Sequence, residues 1–183
     1  LEDRSSPSNV LKLVREKYPE ATVGHRLDKE TSGVLVIAKN AEAYRSISIQ
    51  FENRKVNKVY HAIVGGRHDF QEKLVDAAIE KLSDGTVKIT RSGKPSQTIF
   101  QTLKIFPQHT LVEARPLTGR MHQIRIHLRL LKCPISGDEV YGGSPVLLSE
   151  IKRGFKKRKN MDEERMMKRF ALHARKIQFL GLS

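Results

Sequence analysis

Turn signals divide residues 75–116 into short segments, and this division constrains the fold more than any other feature of the sequence. Asp84-Gly85 is a dipeptide typical of tight hairpins, and residues 92–95 and 107–109 contain further glycine and proline breaks. Residues 110–115 alternate between apolar and polar types, as a half-buried strand does. Strands joined by hairpins pair antiparallel. The segment therefore predicts a sheet made mainly of successive antiparallel strands.

Helical and strand patterns flank this segment on both sides. We predict a helix over 9–18 capped by Ser8 or Asn9, a buried strand over 34–38, a helix capped by Asn40 with Tyr44, Ile47 and Phe51 on one apolar face, a strand over 58–64, a helix over 121–132, a basic helical region over 146–169 and a closing strand over 175–180. Strands outnumber helices and are mostly linked by hairpins. The expected fold class is therefore α+β, in one domain over 1–183.

The charge of the chain is strongly positive. Its 183 residues include 34 Lys and Arg against 20 Asp and Glu, a formal net charge of +14. Such an excess indicates a polyanionic partner, most often nucleic acid, although a basic surface also serves solubility. No apolar run approaches the roughly 18 residues of a membrane span, and the one cysteine, Cys133, fits a reducing compartment. We expect a cytoplasmic protein that does not enter membranes.

One carboxylate stands among cations at the start of the predicted strand 34–38. Asp28 follows His25 and Arg26 and precedes Lys29. Positive neighbours favour the ionised form of an acid, and a carboxylate fixed by the buried strand behind it suits a nucleophile or an electrostatic catalyst. The alternative is a loop carboxylate that merely bridges two basic side chains.

Two further segments carry candidate binding residues. The stretch LTGRMHQIRIH, residues 117–127, is expected to open a helix at Thr118, where backbone N–H groups readily gather anions. A solvated basic helix start is the alternative for this stretch. On the strand over 58–64, Tyr60 alternates with Lys58 on one face, and a lone tyrosine on a strand is usually part of the core or the sheet surface.

Together these segments resemble the RluA-type RNA pseudouridine synthases. The matching motifs are HRLD-x-x-TSG at 25–33, K-x-Y-x-A-x-V-x-G at 58–66, TGR-x-HQIR-x-H at 118–127, GD-x-x-YG at 137–142 and LHA at 172–174. The resemblance implies a long, mixed, mainly antiparallel sheet with flanking helices and a central RNA-binding cleft. The K-P-x-G strand and the S4-like module found before the HRLD motif in such proteins are unmatched, and so is the His-Pro pair that follows the LHA segment. We therefore expect a catalytic domain trimmed at both ends.

The resemblance also implies a role for individual residues. Asp28 matches the essential catalytic carboxylate, which either attacks C1′ of the ribose or removes a ribose proton. Arg125 matches an arginine that pairs with this carboxylate, and we expect the pair to be bidentate. Tyr60 matches a tyrosine that stacks on the target base and can help to remove the C5 proton. Arg26 matches an arginine that enters the RNA stack when the uridine is flipped out. The other predicted substrate contacts are His25, Arg120, His122, Gln123, Lys156 and Lys157.

The function expected from this resemblance is isomerisation of uridines in ribosomal or transfer RNA, without a metal, nucleotide or redox cofactor and by a monomer. A non-catalytic RNA-binding or chaperone module on the same fold is one alternative, and a nucleoside hydrolase is another. The stretch 151–170 carries six cations within eight positions, at Lys152, Arg153 and 156–159. We expect this run to contact the RNA backbone, with a solvated helix face as the alternative.

Overall fold

The computed structural model of the protein describes residues 9–152, 154–155 and 163–181. The strands in this part of the chain are β1 (Thr22–Val23), β2 (Ser32–Gly33), β3 (Ile37–Ala38), β4 (Asn57–Gly65), β5 (Lys73–Asp76), β6 (Ile79–Lys81), β7 (Val87–Ile89), β8 (Gln97–Ile105), β9 (His109–Pro116) and β10 (Leu172–Gln178). The helices in the same residues are α1 (Val10–Arg15), α2 (Ala41–Glu52), α3 (Gln123–Leu130), α4 (Leu148–Ile151) and a 3-10 turn over Glu139–Tyr141.

The main sheet has six strands in the order β2-β10-β4-β9-β8-β5. All its neighbouring strands run antiparallel except β10 and β2, which are parallel. The expected α+β class with a long, mixed, mainly antiparallel sheet is thereby confirmed. Strand β10 lies between β2 and β4, so the motifs at 25–33, 58–66 and 172–174 become neighbours in the sheet. Ser32 Oγ lies 2.9 Å from His173 Nδ1.

One face of the sheet forms the core, and helix α3 covers it. Strand residues two apart point to the same face, and the core positions follow that period along β4, β8 and β9. The buried apolar residues include Ala62, Val64, Phe100, Val112, Ala114, Ile124, Leu128, Ile135 and Leu172. Because α3 packs against this layer, the residues just before the helix and in its first turn are held over the sheet.

Several local predictions are confirmed. Asn9 and Asn40 both cap helices, accepting hydrogen bonds from the backbone N–H groups of Lys12 and Ala43. The Asp84-Gly85 turn joins β6 and β7 as a hairpin. Helix α1, however, ends at Arg15 rather than Tyr18. The short polar side chains at the caps and the turn act within three residues, which is why sequence alone locates them.

The predicted buried strand over 34–38 is wrong over most of its length. The strand β3 spans Ile37–Ala38, and the side chain of Val34 is 40% exposed. The backbone N–H of Val34 donates to the carbonyl of Ala174, which continues the pairing of β2 with β10, whereas β3 pairs with β1 in a separate sheet. The chain must turn between the two sheets, so the apolar run is divided.

Four other predictions need correction. The helix expected to open at Thr118 begins at Gln123, and residues 118–122 form a loop. The helix expected over 146–169 is reduced in the described residues to α4, and residues 163–169 are irregular, with Arg165 in an isolated antiparallel bridge to Leu147. The closing strand begins at Leu172. Tyr44 is 41% exposed rather than inward. No helix in the described residues is long and apolar enough to cross a membrane.

Candidate active site

The loop that carries Asp28 is fixed at several points. Nε2 of His25 accepts a hydrogen bond of 3.0 Å from the backbone N–H of Val36, at the far end of the loop. Nε2 can accept this bond only when it carries no proton, so the ring is neutral. Burial lowers the pKa of His25, which favours the neutral ring. Gly33 has a φ of +114°, and a Cβ there would lie 2.2 Å from the carbonyl oxygen of Ala174. Only glycine allows this approach, so the motif glycine brings the loop against β10.

Arg125 holds two carboxylates. Its Nε and Nη2 donate to the two oxygens of Asp138 at 2.7 and 2.8 Å, and its Nη1 lies 3.4 Å from Oδ2 of Asp28. The rings of Tyr141 and Phe170 lie 4.8 and 4.5 Å from the guanidinium carbon. The guanidinium is therefore clamped on one edge and on its faces, and its remaining nitrogen is directed at Asp28.

The bidentate pair differs from the one expected. Sequence reasoning assigned both arms of Arg125 to Asp28, but the fork binds Asp138, which is 1% exposed, and leaves a single longer contact for Asp28. Burial alone would lower the pKa of Arg125, but the hydrogen bonds and charge of Asp138 outweigh burial and raise that pKa. Asp28 thus faces a permanent positive charge while part of its carboxylate stays available to a substrate.

His122 also lies close to Asp28. Its Nε2 lies 3.9 Å from Oδ2 of Asp28, and its Nδ1 lies 2.8 Å from the hydroxyl of Tyr141. That hydroxyl accepts the backbone N–H of Val87 at 3.0 Å, so its own proton is free to go to Nδ1. The neutral ring then carries its proton on Nε2, toward Asp28. Burial lowers the pKa of His122 despite the nearby charge of Asp28, which favours this neutral form.

Residues outside the predicted set complete this arrangement. Asp138 and Tyr141 were present in the GD-x-x-YG match, which gave no role to either. Phe170 had no sequence signal beyond its apolar side chain. The match marked the position of Asp138 but not its partner, because its pairing with Arg125 depends on the tertiary structure.

Tyr60 and Lys58 extend from β4 into the same cavity as Asp28. Burial, and then the charge of Asp28, raise the pKa of Tyr60 to about 12. The phenol therefore keeps its proton at neutral pH, and its ring presents a flat apolar surface. The predicted placement of both residues on one strand face is confirmed.

Gln123 ties the loop 118–122 to the sheet. Its amide oxygen accepts from the hydroxyl of Thr118 at 2.7 Å and from the backbone N–H of Arg120 at 2.9 Å. Its amide nitrogen donates to the carbonyl of Gln97 and to the hydroxyl of Thr98. The amide is fully used within the protein. This favours a role in holding the loop over the direct substrate contact expected for Gln123.

The predicted site residues that the structure describes come together around one cavity of about 410 Å³. They are His25, Arg26, Asp28, Tyr60, Arg120, His122, Gln123 and Arg125. The described residues contain no group of three or more His, Cys, Asp or Glu side chains that could hold a metal ion. Lys156 and Lys157 lie outside the described residues, so their predicted contact with substrate stays a prediction.

Comparison with known proteins identifies the family. A family model described as RNA pseudouridylate synthase matches residues 2–130. The chain belongs to this family. The resemblance inferred from the sequence motifs is thereby confirmed, and the cavity around Asp28 lies where four of those motifs meet.

Relatives of this family share substantial identity with the chain. The ribosomal large subunit pseudouridine synthase C of Vibrio cholerae is 40% identical over 134 residues, which cover 73% of this chain and 42% of the relative. The protein of the same name from Haemophilus influenzae is 37% identical over 177 residues, covering 93% of this chain and 51% of the relative. The chain thus spans about half the length of these relatives or less.

Solved structures agree with the fold. Human RNA pseudouridylate synthase domain containing 4 is 30% identical, with a TM-score of 0.70 over 93% of this chain and 71% of that chain. Human RNA pseudouridylate synthase domain containing 1 is also 30% identical, with a TM-score of 0.66 over 89% and 65% of the two chains. The architecture is therefore that of a pseudouridine synthase domain.

Proposed function

We propose that this chain is the catalytic domain of an RNA pseudouridine synthase and that Asp28 is its essential carboxylate. The observation that carries the proposal is the convergence of Asp28, Tyr60 and Arg125 on one cavity. A module that only binds RNA would need cations and stacking surfaces, but not a carboxylate held by a clamped arginine.

The reaction breaks the N1–C1′ bond of uridine, rotates the base and joins C5 to C1′. Two routes use the ionised carboxylate of Asp28, either attack on C1′ or removal of a ribose proton. Both routes need the carboxylate of Asp28 to be ionised and held in one orientation toward the ribose. The contacts of Arg125 support such a role, because its fork on Asp138 fixes the guanidinium and directs Nη1 at Asp28 from 3.4 Å. Nε2 of His122 lies 3.9 Å from the same oxygen, close enough to interact with its charge but too far for a hydrogen bond.

Tyr60 and Arg26 complete the proposed roles. The ring of Tyr60 provides a stacking surface for the target base, and its raised pKa keeps the hydroxyl protonated at neutral pH. Arg26 lines the cavity with an exposed side chain, which suits insertion into the RNA stack in place of the flipped uridine. Reaching both faces of the glycosidic bond inside folded RNA requires such extrusion.

Ribosomal RNA of the large subunit is the substrate that we propose, acted on in the cytoplasm. This choice rests on the relatives, which are named for the ribosomal large subunit. The positive charge of the chain agrees with an RNA substrate but does not distinguish one RNA from another. Transfer RNA is therefore tested beside ribosomal RNA.

Tritium release from RNA that contains 5-³H-uridine tests the reaction, since C5 loses its hydrogen when it bonds to C1′. We expect release from large-subunit ribosomal RNA by the wild-type chain and release at background from Asp28→Asn, which keeps the shape of the side chain but removes its charge. RNA binding by Asp28→Asn should stay within a few-fold of wild type.

Three outcomes would contradict the proposal. Wild-type protein that binds RNA without releasing tritium from either RNA would favour the binding module. Free uracil among the products would favour a hydrolase. Substantial turnover by Asp28→Asn would remove Asp28 from the central role even if the reaction itself is found.

A further inference from the structure

Lys58 is a largely buried cation with no carboxylate partner in the part of the chain that the structure describes. Its Nζ donates one hydrogen bond, of 3.3 Å, to the carbonyl oxygen of Thr118. Among the described residues it forms no ion pair with any carboxylate. Burial lowers the pKa of Lys58, as expected for an ammonium group removed from water. An ammonium group has three N–H donors, so two remain for a ligand.

Lys58 stands where two hollows meet. The first is the cavity around Asp28, and the second, the side groove, is a hollow of about 420 Å³ whose wall includes Phe51, Glu52, Arg54, Lys58, Leu117 and Arg120. Lys58 and Arg120 line both hollows. Three cations and one acid line the side groove, so its charge favours an anion. Because they share these lining residues, the two hollows adjoin each other at Lys58.

Gly119 keeps the ammonium group accessible. It also lines both hollows, and a Cβ at this position would lie 3.6 Å from Nζ of Lys58. A side chain there would occupy the space beside the ammonium group. The missing side chain therefore leaves room for a ligand atom to approach Lys58 where the two hollows adjoin.

We propose that Lys58 is the central cation of a phosphate-binding subsite, which takes a phosphodiester next to the target uridine at the junction of the cavity and the side groove. This inference rests on the proposed function, which places the sugar of the uridine at Asp28. When a nucleotide of an RNA chain binds in the cavity around Asp28, its two flanking phosphates must lie near the opening of that cavity. A phosphate close to the carboxylate of Asp28 needs a cation to offset their repulsion, and Lys58 and Arg120 provide it.

A double-mutant cycle with chemically altered RNA tests the contact. The probe is the fluorescein-labelled pentamer r(AAUAA), whose phosphodiester on either side of the uridine is replaced in turn by a neutral methylphosphonate. Binding is measured by fluorescence anisotropy. We expect one of the two replacements to weaken wild-type binding about tenfold, as the loss of a charge-assisted hydrogen bond does. Lys58→Met should bind the unmodified pentamer as weakly and lose nothing more on the same replacement.

Lys73→Met is the matched control, because Lys73 is exposed on β5 and the change removes the same charge. It should keep the tenfold effect of the methylphosphonate. Methionine retains the apolar stem of Lys58, and Lys58→Gln serves in its place if Lys58→Met does not fold. The salt dependence gives a second readout, since loss of one phosphate contact on a single strand lowers the log–log slope by about 0.7.

Two results would overturn the inference. Equal losses from the methylphosphonate in wild type and Lys58→Met would show that Lys58 does not contact that phosphate. Absence of any methylphosphonate effect in the wild type would leave Lys58 as a support for the loop at Thr118. Tritium release is measured separately, so a protein that shows the coupling without releasing tritium would retain the phosphate subsite while the proposed isomerisation fails.

Discussion

Asp138→Asn should destabilise the protein by about 3–5 kcal/mol, the range for breaking a buried ion pair by removing one partner. Asp138 is 1% exposed and Arg125 is 6% exposed, and two hydrogen bonds of 2.7 and 2.8 Å join them. Asparagine keeps the shape but turns an N–H group toward a guanidinium N–H and removes the charge that offsets Arg125. For a chain of this size the loss corresponds to a fall of about 6–20 °C in Tm.

Equilibrium unfolding in urea, followed by far-UV circular dichroism, measures this loss. Glu139→Gln is the matched control, since the adjacent residue pairs with Arg165 at 2.6 Å while both side chains are more than half exposed. The same change of charge there should alter the free energy of unfolding by less than about 1 kcal/mol. Equal losses in the two variants, or a loss below about 1 kcal/mol for Asp138→Asn, would refute the argument that burial makes the Arg125 clamp a main structural support.

Other predictions concern the reaction, the cationic run and pH. Tyr60→Phe should slow a late proton-transfer step more than it weakens RNA binding, because the ring remains; an unchanged single-turnover rate would limit Tyr60 to stacking. Replacing four cations with serine should weaken RNA binding and lower its log–log salt slope by about 0.7 to 0.9 per phosphate contact, with the single-turnover rate at saturating RNA unchanged. The four are Lys156, Lys157, Arg158 and Lys159. An unaltered slope would assign the run to the solvated surface. Burial lowers the pKa of His127 below its usual value near 6.5, so the unfolded chain binds more protons in acid, and the free energy of unfolding should fall from about pH 7.5 to about pH 5.5. Urea titrations at both values should show a smaller fall in His127→Gln, and an equal fall in both proteins would contradict this contribution.

The fold could be predicted where its signals are local. The hairpin at Asp84-Gly85 and the helix caps Asn9 and Asn40 depend on short-range backbone geometry. The prediction of a buried strand over 34–38 was wrong because an apolar segment indicates burial without indicating which strand it pairs with. Its residues divide between pairing beside β10 and pairing with β1, and that division depends on chain segments far away in the sequence.

The sequence predicted which residues line the candidate site better than it predicted which of them contact each other. Asp28, Tyr60 and Arg125 all line the cavity, as the motifs indicated. The assignment of the bidentate fork to Asp28 was wrong, because sequence offers Arg125 two acids without ranking them. Asp138 receives the fork because it is buried beside the guanidinium, whereas Asp28 reaches it from a loop 97 residues away.

The sequence by itself determined the family, the mainly antiparallel sheet and the residues around the cavity. Each of these depends on particular residue types at fixed, short spacings along the chain. Only the tertiary structure decided how those residues divide their bonds. Packing brings Asp138 into contact with Arg125 and Tyr141 into contact with His122. It also leaves Lys58 between two hollows without a carboxylate partner among the described residues. Hydrogen bonds and charges act over a few ångströms, and such distances between remote segments exist only in the folded chain.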